Sequence, residues 1–148
     1  MAIFENKWYH IHRENICVVC GNTEKLTKHH IIPSCYTAKL DKDIKKTLKN
    51  VHFEPDYCCT CKKCHKKYEI LFSERLHRKI WEKFNVNLLE TSYRQPRSNR
   101  PKPSEVVMNQ IKNFNNYIIL REFCTEYFIE CMKPKFDIFS GKSIEEIV

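Results

Sequence analysis

Two C-x-x-C pairs, Cys17/Cys20 and Cys61/Cys64, limit what this chain can fold into more than any other feature. A C-x-x-C turn aims two sulfurs at one point, so two pairs can close a tetrahedral site of four thiolates around a single Zn2+. Closure makes the stretch between the pairs one compact unit. The second pair carries an ambiguity, because Cys58-Cys59-Thr60-Cys61 is itself a C-x-x-C and Cys58 can replace Cys64. Cys61 and Cys64 are preferred. They fall where a strand turns into a helix, whereas Cys58 and Cys59 fall within the strand and point to opposite faces. Cys35, Cys124 and Cys131 read as structural thiols. Cys61-Lys-Lys-Cys64-His65 also spells the c-type haem attachment pattern, but that reading wants an exported chain and leaves Cys17 and Cys20 without a role.

Local chemistry punctuates the rest. Cys17 to Asn22 reads as a knuckle closed by Gly21 and Asn22, two residues that tolerate positive φ. Lys25 to Ile32 reads as a strand stopped by Pro33, and Val51 to Thr60 as its return. Ser34 to Asn50 is a lysine-rich connection with one helical turn around Asp41 to Leu48. Tyr68, Leu71, Phe72, Leu76, Ile80 and Phe84 lie three or four apart, which predicts one apolar helical stripe from Lys62 onward.

Residues 85–103 break the pattern with Pro96, Pro101 and Pro103. Arg94, Arg97, Arg100 and Lys102 stand between the prolines, as a solvated linker or as a basic strap along a phosphate backbone. Ser104 then has the chemistry of an N-cap, with Glu105 in the first turn. From Val107 to Cys131 apolar residues keep helical spacing up to Pro134, in one helix or a broken pair that buries its stripe or offers it to a partner. Ser143 to Glu146 fits a capping box. The division is therefore 1–84, a two-strand-and-helix unit; 85–103, a linker; and 104–148, a helical extension.

The 148 residues carry 26 Lys plus Arg against 18 Asp plus Glu, and a formal charge of +8 favours a polyanion such as nucleic acid. With only 2 Gly, a glycine-rich phosphate loop is excluded. No apolar run approaches the roughly 20 residues of a membrane span. Nine cysteines, an odd number, with no secretory pattern at the start imply a reducing, intracellular compartment where clustered thiols bind metal.

Between the thiol pairs sits His29-His30-Ile31-Ile32-Pro33, and His65 follows the second pair in the first turn of the expected helix. Adjacent strand histidines point to opposite sides, so one can bind a cation while the other meets substrate. His10, His12, His52 and His77 have no partner pattern. Over roughly a third of the chain, Cys17-x-x-Cys20-Gly21, His29-His30-Ile-Ile-Pro33, Asp56 and Cys61-x-x-Cys64-His65-x-x-x-Glu69 together resemble the HNH endonuclease family.

The resemblance implies an α+β fold with a small ββα-metal core, a four-cysteine structural zinc and a mainly helical C-terminal extension. It implies His30 as the general base that deprotonates water. His29 and His65 become ligands of a catalytic divalent cation, Mg2+ or Mn2+, and double-stranded DNA the partner that is cut. Asp56 stands where the family usually has Asn; it lacks the amide donor but can hold the His30 imidazole N–H. Glu69, one turn beyond His65, is either its hydrogen-bond partner or a surface carboxylate. Two other classes remain: a non-catalytic zinc module that binds nucleic acid on the same scaffold, and an adaptor that works through its C-terminal helices.

Overall fold

Leu26–His30 (β1) and Tyr57–Cys61 (β2) are the segments whose β-branched, aromatic and thiol side chains alternate between a covered and an open face. They pair antiparallel, with Leu26 opposite Cys61, Thr27 opposite Thr60, His29 opposite Cys58 and His30 opposite Tyr57. The computed structural model describes residues 15–37, 46, 57–91 and 101–136. The expected turn around Asp41 to Leu48, the first half of the return strand and the terminal capping box lie outside them, apart from Lys46, which is helical.

Helices account for the remaining elements: Ser34–Thr37 (α1), Lys62–Leu71 (α2), Ser73–Lys83 (α3), Pro103–Gln110 (α4) and Phe114–Met132 (α5). The single stripe expected from Lys62 to Phe84 is two helices, because the chain turns at Phe72, whose N–H still donates to the Tyr68 carbonyl. The C-terminal pattern is a broken pair. The first helix ends at its C-cap Ile111, and Asn113 caps the second, its Oδ1 accepting from the N–H groups of Asn115 and Asn116. The expected Ser104 cap is not used: Pro103 takes the first helical position and Lys102 the N-cap, so Ser104 lies inside the helix.

The knuckle forms as its residues predict. Cys17 and Asn22 bond through the Cys17 N–H and Asn22 carbonyl at 2.8 Å, Gly21 N–H returns to the Cys17 carbonyl at 2.8 Å, and Gly21 sits at φ +83°. Val18 N–H donates to the Cys59 carbonyl, which lays the knuckle beside β2. After α5, Lys133 adopts a left-handed turn and Phe136 N–H donates back to the Val18 carbonyl at 3.0 Å.

One hydrophobic cluster joins these parts. Val18, Ile31, Tyr36, Cys58 and Tyr68 belong to it together with Val107, Ile111, Leu120, Cys124 and Phe128. Residues on both sides of the expected linker therefore share a core. α5 is buried on a broad face, from Tyr117 and Ile118 through Leu120, Cys124, Tyr127 and Phe128 to Met132, rather than along a narrow seam. Side chains lock the junctions: Tyr127 donates to the Phe72 carbonyl, and Gln110 to the Phe84 carbonyl at 2.7 Å. Among the described residues no helix is long and apolar enough to cross a membrane.

Candidate metal centre and histidine cleft

At the junction of knuckle, hairpin and α2, the thiols of Cys17, Cys20, Cys61 and Cys64 lie within 4.8 Å of one another. Cys20 and Cys61 sulfurs are 3.7 Å apart. Tetrahedral zinc with Zn–S bonds near 2.3 Å sets neighbouring sulfurs roughly 3.8 Å apart, so these four cysteines could hold a structural ion such as zinc. Local structure explains the spacing. Cys61 is the N-cap of α2, and its sulfur accepts from the Cys64 N–H, which brings the second thiol round to the first. Cys58 does not join; it is buried in β2 opposite His29. Burial works to raise the Cys61 thiol, but the Cys64 N–H and the neighbouring thiols outweigh it and bring it to about 7. Cys20 and Cys64 are pushed up, first by burial.

The covered face of the hairpin carries the second group. His29 is 5% exposed, stacked on Phe128 at 4.6 Å between ring centres and edge-on to Tyr68 at 4.6 Å. Its Nε2 is buried with no hydrogen-bond partner. Burial, and then the nearby imidazoles of His65 and His30, hold its pKa down at about 3, so the ring is a neutral imidazole. His65 comes to it from α2, with ring centres 5.7 Å apart.

Thr27 orients His65, a role the sequence reading misses. It lies two residues before His29 and so on the same face. Its hydroxyl donates to the Thr60 carbonyl at 2.9 Å, which leaves the oxygen to accept from His65 Nδ1 at 2.8 Å. His65 therefore carries its proton on Nδ1. Its Nε2 then faces Glu69 Oε1 at 3.2 Å, two acceptors that a proton or a cation must bridge. The buried orphan, the oriented imidazole and the adjacent carboxylate stand in one cleft.

His30 is exposed, on the opposite side of β1 from His29. At the strand end both still line one cleft of about 250 Å³, with His65, Tyr68 and Glu69. Lys28 reaches over the Tyr57 ring at its edge. The structure thus gathers His29, His30 and His65 in one place and the four zinc-type thiols in another. Asp56, Arg94, Arg97 and Arg100 lie outside the described residues, and Lys102 caps α4 away from this cleft. His77, read from sequence as having no partner, bonds Tyr36. Comparison with models of known families, with curated proteins and with solved structures finds no match for the chain.

Proposed function

We propose that the chain is a metal-dependent endonuclease of the HNH type, hydrolysing DNA phosphodiester bonds on a ββα-metal core formed by β1, β2 and α2. One observation carries the reading: the buried, unpartnered Nε2 of His29 stands beside His65 while His30 opens to solvent in the same cleft. Structural lock and reactive group are thus divided between adjacent residues. His29 and His65 would hold one Mg2+ or Mn2+, with Glu69 at hand. When bound, that cation polarises a phosphoryl oxygen and stabilises the departing 3′ oxygen.

The chain's own groups do the rest. His30 takes the proton of the attacking water, a task suited to an exposed imidazole at the mouth of the cleft. Thr27 keeps His65 in the tautomer whose Nε2 lone pair is free. Phe128 and Tyr68 keep water from the back of His29. Asp56 is assigned to orient His30, from its place in the sequence pattern. Incubation of supercoiled plasmid with Mg2+ or Mn2+ gives nicked or linear DNA, and His30→Ala lowers the rate by about 10²–10⁴-fold with zinc content unchanged. Equal cutting by that variant removes His30 as the base.

A second reading draws on α2, whose Lys62, Lys63, Lys66 and Lys67 are all exposed. Four cations on one helix suit backbone binding without chemistry. Salt-sensitive DNA binding with no cleavage under any divalent cation selects this zinc-stapled binding module over the nuclease.

A further inference from the structure

Beside the histidine cleft lies a larger concavity, about 700 Å³ against about 250 Å³. Glu69 and Ser73 line both, so the two spaces share a wall. Tyr36 is fully buried behind it, and its hydroxyl lies 2.6 Å from His77 Nδ1. Burial raises Tyr36 and lowers His77, so both groups of this hydrogen bond stay neutral near pH 7. The His77 and Trp81 rings lie 6.2 Å apart at 34°, both partly exposed, and form an aromatic wall. Lys102 and Ser104, from the start of α4, belong to the concavity and not to the cleft. Lys102 offers that turn no side-chain cap.

We infer that this concavity receives one nucleotide of the strand whose neighbouring phosphate lies in the histidine cleft, its base against Trp81 and His77 and its phosphate toward Lys102 and Ser104. The volume falls in the range of small-ligand sites. Flat aromatic faces stack on any base, and an ammonium group with a neighbouring hydroxyl suits a phosphodiester. Of the acidic groups in its lining, Glu74 is paired with Arg78 at 3.1 Å and Glu69 stands on the shared wall, turned toward His65. The inference rests on the nuclease reading for the presence of a strand; its recognition chemistry does not depend on cleavage.

The test uses the full chain with Trp8→Phe, which leaves Trp81 as the one indole of the 2 present. A single-stranded oligodeoxynucleotide of about twelve nucleotides, deoxyadenosine 5′-monophosphate and inorganic phosphate are titrated separately without divalent cation, and indole fluorescence is read. The oligonucleotide quenches saturably, the mononucleotide quenches at least about tenfold more weakly because it lacks the cleft contact, and phosphate does not quench. Lys102→Glu and Ser104→Phe each weaken the oligonucleotide response about tenfold or more, with the circular dichroism unchanged. Absence of quenching by the oligonucleotide overturns the inference. So does an unchanged response in both variants, or a mononucleotide that binds as tightly as the strand and so marks a small-molecule site. Quenching without plasmid cutting sinks the nuclease reading alone; cutting without quenching sinks the nucleotide site alone.

Discussion

His29 is placed by packing, and His65 by a hydrogen bond, so the two rings answer to different substitutions. Thr27→Val keeps the strand but removes the oxygen that holds His65 Nδ1. The expected result is divalent-cation binding weaker by about 10–100-fold, measured by isothermal titration, with little change in thermal midpoint. His77 gives a pH signature. Burial lowers its pKa below the unfolded value near 6.5, so the unfolded chain binds the extra proton. Its contribution to stability is complete above about pH 6.5 and is lost as the pH falls through the folded value. Urea unfolding at stepped pH checks this: His77→Gln flattens the acid-side loss relative to the parent chain. The histidine doublet is legible in sequence because adjacency in a strand dictates opposite faces. Thr27 is legible only once the register is known, since a threonine two residues upstream signals nothing until a helix brings a ring above it. The Tyr36–His77 bond joins residues 41 apart and has no local signature.

Among the elements, the knuckle and the start of α2 are the most readable, because cysteine spacing, Gly21 and the sulfur cap are all short-range. Gly21 is doubly constrained: φ is +83°, and a Cβ there would meet Phe136 at 3.1 Å. Gly21→Ala destabilises by about 1–2 kcal/mol from the left-handed backbone alone, and more if Phe136 cannot shift; calorimetry of the zinc-loaded protein reads it. Cys20→Ser lowers bound zinc from one ion per chain toward none, by metal analysis after gel filtration, and lowers the melting temperature, since ion binding and folding are coupled in such sites. Element boundaries are less readable. The stripe from Tyr68 to Phe84 is continuous in spacing, yet the chain turns at Phe72, whose carbonyl accepts both the Leu76 N–H and the Tyr127 hydroxyl of α5. That partner lies 55 residues away, and no window of local sequence contains it.

For the molecule as a whole, the C-terminal helices complete the core rather than extend it. Phe128 on α5 stacks on His29 and touches Tyr68 of α2, so the His29 face of β1 is covered by the C-terminal helix α5. Phe128→Ala is expected to cost about 3–5 kcal/mol and to let water reach His29, which equilibrium unfolding and hydrogen exchange at β1 would record. The amphipathic pattern after residue 104 announces burial but not the surface it is buried against, which is why one core looks divisible on paper. Phe136 adds a long-range closure. Its backbone pairs with Val18, so the knuckle is completed by a segment that follows α5. Loss of that pairing leaves the thiols beside an unsealed flank, open to oxidants and proteases.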